Sequence, residues 1–454
     1  MLPTLTYQRI QAYGRFSFGS GQFVPGGNLP VEIEQLGSGR TLLYLSCDAE
    51  HPAMDNELAL GAAMWFVGDT DDGLPIRTSD LWYLGRRSDR HCFSASMVTV
   101  GDVSRIYDSI ELAVTNVDFG GEGRIRRELS LDVSVDDSTL PVQLSPAENF
   151  DDLIFQSRQT ACPAVTAKLR LTPGNPSMEN LDSLVNDLCT TLSVVQARKV
   201  QWIHRTAFCP QGNIVWSEFG ATKTKAYSPG MLCVNPSTGR GIRLDIADAQ
   251  VAFPKVRQFR QAYDPNHRIV NAWLDARLED PFLEARTLQY AIVLEALCRL
   301  VEAKHDEVPS GRVPKGEWRL TGKKFLPLIR DHLRTLPGVD PHVVENVCSS
   351  NGWGNLNRAS FATTLAECLS KLGIAMHDGP NRIRRVTAIR NKIVHNLKYL
   401  SEDDFREHSN WPVIDPKQQH FLVACFVEEL LLRLFGLGDL LKFIDGWPVL
   451  QRVR

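Results

Sequence analysis

The sequence predicts a multidomain protein of α and β structure, with a β-rich, sandwich-like module at residues 1–250 and an all-α helical bundle at residues 256–454. In the first part, short runs rich in β-branched and aromatic residues alternate with glycine-rich turn signals. After Pro254 the period changes, and apolar residues recur three or four positions apart, as on a helix face. The two patterns indicate two parts with separate cores.

Length and composition are those of an ordinary globular protein. The chain has 454 residues, of which 43% are hydrophobic and 23% are charged, so it can form two or three domains that each bury a core. The formal net charge is only −3. Any binding of nucleic acid must therefore come from a local basic patch and not from the overall charge.

Ten scattered cysteines without a CxxC pair argue against a zinc site and favour a reducing compartment. His342 and His377 lack a nearby cluster of carboxylates or cysteines, so we expect no metal and no cofactor. The first ten residues lack the charged and apolar regions of a signal peptide, and no apolar run approaches the roughly 20 residues that span a bilayer. We expect a cytoplasmic protein without a membrane partner.

The first part has the spacing of an antiparallel sandwich or curled sheet. Its predicted strands include VEIEQL (31–36), TLLYLS (41–46), CFSASMVTV (92–100), IELAVTNVDF (110–119) and ELSLDVSV (128–135). The last of these alternates cleanly, which predicts a half-exposed strand. An amphipathic helix is predicted at residues 178–195. No catalytic constellation is visible here, so this part is expected to sense or bind a partner.

The second part suits a bundle of five to seven helices. A long segment opening after Pro281 is apolar nearly all round between Tyr290 and Leu300, as is usual for the central helix of a bundle. Further helices are predicted at residues 323–336, 341–347, 360–372, 381–398 and 420–435.

Residues 381–398 form the most unusual of these helices. They include six Lys or Arg and no acid, yet a row of apolar residues follows a helical period. That row is Ile383, Val386, Ile389, Ile393 and Leu397. Arg390 falls inside the arc of about 120° that the row covers, while Asn391 and His395 share one flank. The helix therefore places a guanidinium where a core residue is expected, beside an imidazole and a carboxamide.

A buried arginine is costly unless it is paired. Glu295 is the only acid between Glu284 and Glu302, in the apolar central helix, and we expect it to pair with Arg390. The pair would orient the guanidinium and keep His395 near a negative charge, where an imidazole can shuttle protons. The alternative is a purely structural buried ion pair with a histidine on a solvated edge.

The segment from Arg390 to His395 resembles the R-N-x-x-x-H signature of the HEPN superfamily, all-helical domains that are often metal-independent ribonucleases. EARTLQYAIVLEALCRL (284–300), KKFLPLIRDHL (323–333) and RNKIVHN (390–396) resemble the HEPN domain of the ApeA-like anti-phage defence family. Residues 13–46 are similar to the β-rich N-terminal domain of that family. Asn396 departs from the small residue, often Gly, that usually follows the histidine.

The resemblance implies an endoribonuclease that halts growth of infected cells (abortive infection) by cutting RNA, with tRNA as one candidate and an unknown phage-derived trigger. Arg390, Asn391, His395 and Glu295 would be its catalytic residues, acting by attack of the ribose 2′-hydroxyl on the adjacent phosphate. The alternative class is a non-catalytic HEPN module that binds RNA or protein without cutting it.

The mechanism predicts a homodimer through the helical domain, because one histidine cannot easily serve both sides of an in-line displacement. The last helix carries LVACFVEELLLRLF (422–435), which exceeds what one bundle face can bury and suggests a subunit interface. Cations expected to ring the cleft and bind RNA are Arg382, Arg384, Arg385 and Lys392.

Overall fold

The structure is a computed structural model. It describes residues 6–18, 29–37, 39–46, 64–87, 90–119, 128–135, 138–160, 163–172, 177–220, 230–278, 282–305, 315–335, 340–348, 360–407, 411–444 and 447–450. Among these residues, no helix combines the length and the apolar character needed to cross a bilayer.

Twelve antiparallel strands of the N-terminal part form one continuous sheet, in the order β3-β2-β1-β4-β5-β6-β12-β11-β7-β10-β9-β8. The strands are β1 (Thr6–Phe18), β2 (Leu29–Leu36), β3 (Thr41–Ser46), β4 (Met64–Thr70), β5 (Pro75–Arg87), β6 (Arg90–Gly101), β7 (Ser109–Thr115), β8 (Leu129–Val135), β9 (Ser138–Pro146), β10 (Val165–Leu171), β11 (Trp202–Phe208) and β12 (Ile214–Gly220).

The first six strands close into a barrel, because β3 pairs with β6 as well as with β2. The predicted sandwich is therefore wrong in this region. Closure pairs β3 with the first half of β6 and so removes the free edge that β3 would otherwise expose. The strands β1 and β4 cross closely at Gly14 and Gly68, where a Cβ on either residue would lie under 3 Å from the other strand's backbone. Phe16, Phe66 and Phe93 fill the barrel.

Beyond the barrel, the sheet continues from β6 into β12 and ends at β8. The predicted alternation of β8 is confirmed, because Leu131 and Val133 are buried while Ser130 and Asp132 are exposed. Two helices accompany this half of the sheet, α1 (Phe150–Thr160) and α2 (Met178–Gln196). The second matches the predicted helix at 178–195, and Ser177 caps its first turn by accepting a hydrogen bond from the Asn180 amide.

The C-terminal part is helical. Its helices are α3 (Ala249–Ala262), α4 (Arg268–Ala276), α5 (Leu283–His305), α6 (Lys315–Thr335), α7 (Pro341–Val347), α8 (Phe361–Lys371), α9 (Gly379–Asn396), α10 (Glu402–Arg406) and α11 (Pro416–Leu434). A hairpin of β13 (Leu441–Ile444) and β14 (Trp447–Leu450) follows them. The region is thus a helical bundle with a terminal hairpin and not the all-α domain that the sequence predicts.

One hydrophobic core runs from the open half of the sheet into the helices. A buried ion pair on α11 contributes to this continuity. Glu428 pairs with Arg277 and also accepts a hydrogen bond from the Cys233 amide at 2.5 Å. Because residues 233 and 428 are far apart in sequence, this carboxylate ties the end of the β-rich part to the last helix.

The last helix, α11, is enclosed by its own chain. Its residues Phe426, Val427, Leu430, Leu431 and Leu432 are all buried. The apolar residues of α11 that suggested a subunit interface are therefore buried within the bundle. That argument for a dimer does not hold, since α11 contacts both α5 and α9.

Candidate active site on α9

The candidate site is built on α9, which begins just after Asp378 with Pro380 in its first turn. Val386, Ile389 and Ile393 are buried and hold the helix against the bundle. The helix ends at Asn396, because Leu397 adopts a left-handed conformation with φ 52° and its amide donates to the Ile393 carbonyl at 2.9 Å. Leu397 is 63% exposed, so it does not belong to the apolar row that the sequence predicts.

The predicted pair of Arg390 and Glu295 forms. Arg390 Nε donates to Glu295 Oε1 at 3.0 Å, and Nη2 donates to the same oxygen. Both side chains are largely buried, with 14% and 25% of their surface exposed. The pair links α9 to the central helix α5 and fixes the guanidinium in one orientation.

Two further contacts hold the guanidinium. Arg390 Nη1 donates to Asn391 Oδ1 at 2.9 Å, and the Arg390 Cζ lies 4.8 Å from the centre of the Phe361 ring at the start of α8. A guanidinium has five N–H groups, and three are used by Glu295 and Asn391. Two remain to bind an anion at this partly open position.

Asn391 and His395 lie one helical turn apart on α9, and both are exposed. His395 lies in the last turn of the helix. The structure does not place His395 in an ion pair with a carboxylate of any described residue. The negative environment that the sequence analysis expects from Glu295 is therefore not a direct contact.

The predicted RNA-binding cations occupy different environments. Arg382 is buried, pairs with Glu429 of α11, and lies over the rings of Phe426 and Phe443. Its position contradicts the expected place on an exposed rim, because a residue four positions before Val386 faces the bundle. Burial lowers the pKa of Arg385, which is half-buried.

Arg384 is exposed and Lys392 is partly exposed. Lys392 Nζ lies 2.8 Å from Asp404 Oδ1 on α10, and hydrogen bonds from Lys392 and Ser401 lower the pKa of that carboxyl to about 2. Of the four predicted cations, Arg384 is thus the one that the structure leaves exposed without an ion pair among the described residues.

Sequence reasoning missed two residues of this site. Arg299 is 81% exposed, and its Nη2 lies 3.7 Å from Glu295 Oε2. The spacing of four between Glu295 and Arg299 is a helical ion-pair signal that could have identified it. Phe361, which supports the Arg390 guanidinium, had no such signal, because its proximity depends on how α8 packs.

The described residues contain no group of three or more His, Cys, Asp or Glu side chains placed to hold a metal ion. Comparisons with family models, with curated proteins and with solved structures found no match to this chain.

Proposed function

We propose that this chain is an endoribonuclease of the HEPN type that acts in anti-phage defence. One observation supports this proposal above the others: Glu295 and Asn391 hold Arg390 in a way that leaves two N–H donors unused, and the exposed His395 lies one helical turn from Asn391. Asn391 and His395 are both exposed on one face of α9, and a purely structural pair of Arg390 and Glu295 would not require them there.

The chemistry follows from the groups present. The ribose 2′-oxygen attacks the adjacent phosphorus, the bond from phosphorus to the 5′-oxygen breaks, and a 2′,3′-cyclic phosphate forms. The free N–H groups of Arg390 would stabilise the charge on the phosphorane, and His395 would accept or donate the proton. DNA lacks the 2′-hydroxyl, so this reaction selects RNA.

The reaction needs both a base for the 2′-hydroxyl and an acid for the 5′-oxygen. We propose that a second copy of the chain supplies the other histidine across a two-fold axis. An exposed apolar residue supports an interface beside the pair: Ile292 is 50% exposed and lies three positions before Glu295 on α5. Leu397, at the end of α9, is also exposed.

The biological role rests on the resemblance to the ApeA-like family. In that role the helical part cuts RNA, with tRNA as a candidate target, and the β-rich part senses a phage-derived trigger. The open half of the sheet shares its core with the helices, so a partner bound to this half could alter the position of the bundle without a flexible linker.

Incubation of purified protein with bulk RNA in EDTA tests the activity. We expect fragments with 2′,3′-cyclic phosphate ends, and we expect His395→Ala to abolish them at an unchanged melting temperature, because the side chain is exposed. His342→Ala, an exposed histidine on α7, is the matched control. RNA that is shifted in a gel but remains intact would favour the non-catalytic binding module.

A further inference from the structure

A cavity of about 510 Å³ lies away from α9, where the barrel meets the helices. Its walls come from β6, β11, β12, α2, α3 and α4, and they include Ser96, Asn186, Lys199, Trp202, Arg260 and His267. This volume falls in the range of small-molecule sites, which is roughly 300–1,000 Å³. None of the residues assigned to RNA cleavage lines it.

A buried carboxylate organises one wall. Asp187 of α2 is fully buried and accepts hydrogen bonds from Arg260 Nε at 2.6 Å and from Arg260 Nη2 at 3.0 Å. His267 Nε2 lies 3.2 Å from the same carboxylate. Asp187 therefore fixes Arg260, whose Nη1 group donates to neither carboxylate oxygen. His267 Nε2 is buried without a hydrogen-bond partner among the described residues, so it remains available to a ligand in the cavity.

The wall at the start of α4 is polar. Asn266 and His267 precede this helix and Asn271 lies in its first turn, and all three line the cavity. His267 has a left-handed backbone with φ 51°, and its side chain makes no capping hydrogen bond. The Ile269 amide in the first turn donates to Asp264 Oδ2 at 2.8 Å, so a carboxylate already caps this helix.

Lys199 adds a positive charge that the described residues do not neutralise. It is partly exposed, and no carboxylate among the described residues forms an ion pair with it. Its carbonyl accepts a hydrogen bond from Asn116 Nδ2 at 2.9 Å, which fixes its backbone. Of the two charged side chains that line the cavity, Arg260 is paired with Asp187 and Lys199 has no ion-pair partner in the described part of the chain.

Trp202 supplies a flat apolar surface. The Arg205 guanidinium lies 4.8 Å from its ring centre, and a Cβ at Gly220 would lie 2.9 Å from the ring. The indole is thus held in place between neighbours. Val270 and Leu274 of α4 extend the apolar surface on the cavity wall.

A lysine without an ion-pair partner, an unbonded imidazole nitrogen, several amide and hydroxyl groups and a fixed indole together match a ligand with an anionic group and a flat ring. We propose that this cavity binds a small phosphate ester of that kind, with the chemistry of a nucleoside monophosphate. The proposal does not rest on RNA cleavage by α9.

Calorimetric titration of the full chain with AMP, GMP, CMP and UMP tests the proposal. We expect at least one of them to bind, and the corresponding nucleoside and inorganic phosphate to bind at least about tenfold more weakly. Lys199→Met should weaken binding about tenfold or more, and Trp202→Leu should do so through lost ring stacking. Lys168→Met, a partly exposed lysine on β10 outside the cavity, should bind as the wild type does.

If Trp202→Leu fails to fold, Lys199→Met still tests the proposal, because the partly exposed Lys199 side chain contributes little to the core. Three results would each overturn the proposal: no nucleotide binding up to about 1 mM, equal binding by inorganic phosphate, or unchanged affinity in a folded Lys199→Met variant.

Discussion

Arg390 of α9 donates two hydrogen bonds, from Nε and Nη2 of its guanidinium, to a single carboxylate oxygen of Glu295 on α5, Oε1. The second oxygen of Glu295 faces the exposed Arg299 at 3.7 Å. Glu295 thus pairs with a largely buried arginine and lies near a surface arginine. Substitutions at Glu295 and its two arginines can therefore test the role of its charge separately from the packing of the helices.

Glu295→Gln should reduce RNA cleavage while changing the free energy of unfolding by about 1 kcal/mol, because the amide oxygen can still accept a hydrogen bond. Misplacement of the guanidinium should lower the cleavage rate about 10²-fold. Arg390→Ala should abolish cleavage and destabilise by about 1–3 kcal/mol, since it leaves a partly buried carboxylate without its main partner. Single-turnover cleavage and urea denaturation measure the two effects.

Arg299→Ala is the matched control for stability, because its side chain is 81% exposed and surface ion pairs contribute little. Normal cleavage by Arg390→Ala would refute the assigned site. A Glu295→Gln variant that loses several kcal/mol of stability would instead mark the pair as structural.

Arg382 and Arg384 are predicted to behave oppositely, although both belong to the basic run of α9. Arg382→Ala should cost about 3 kcal/mol of stability, because it removes a partner of the fully buried Glu429. Arg384→Ala should leave stability unchanged and lower the salt dependence of RNA binding by about one counterion. Denaturation curves and binding at several salt concentrations distinguish them, and a salt effect of Arg382→Ala without lost stability would contradict this assignment.

The sequence was sufficient to find the Arg390–Glu295 pair, because each charge lies inside an apolar pattern on its own helix. It also contained the signal for Arg382: the residues buried on α9 include Arg382, Val386, Ile389 and Ile393, which are spaced 4, 3 and 4 apart. The predicted row began instead at Ile383, which is only partly buried. Arg382, at the start of this row, was predicted to be exposed because its partner, Glu429, lies on a helix that is distant in the sequence.

Barrel closure could not be predicted in the same way. It depends on pairing between β3 and β6, for example Leu43 with Phe93, which are distant in sequence. A strand with one buried face has the same alternation in a sandwich and in a barrel. The apolar residues of α11 were assigned to a subunit interface for a related reason. The sequence does not show that neighbouring helices pack on several sides of α11, and a helix packed in this way needs no partner subunit.

A buried histidine predicts acid sensitivity. Burial, with a smaller contribution from Arg286, lowers the pKa of His420 to about 3, while an unfolded histidine titrates near pH 6.5. His420 Nδ1 lies 2.8 Å from Thr287 Oγ1. Between these two values the unfolded chain binds a proton that the folded chain does not. The free energy of unfolding therefore falls as the pH falls from about 6.5 towards about 3.

His420→Asn should flatten this dependence by up to about 1.4 kcal/mol per pH unit. Urea denaturation at several values between about pH 7 and pH 4 measures the slope. His342→Asn, on the exposed surface of α7, should leave the slope as in the wild type. Equal slopes for wild type and His420→Asn would show that His420 does not contribute to acid unfolding.

The shared cleft is the last prediction, because the proposed mechanism depends on a second chain. Ile292→Glu should convert the protein to a monomer by light scattering and abolish cleavage, since it places a charge on an exposed apolar position beside Glu295. Val251→Glu, equally exposed on α3, is the control and should stay dimeric and active. A wild-type protein that is monomeric at the assay concentration yet fully active would exclude the shared cleft.

Mixed chains examine the same cleft from the other side. The proposed reaction uses one histidine as the base and the other as the acid, so a heterodimer of one wild-type chain and one His395→Ala chain lacks one of the two groups. Heterodimers purified through two different affinity tags should therefore cleave far more slowly than the wild type. If each chain acted alone, the same heterodimers would retain about half of the wild-type rate, because independent sites contribute additively. That result would exclude the shared cleft.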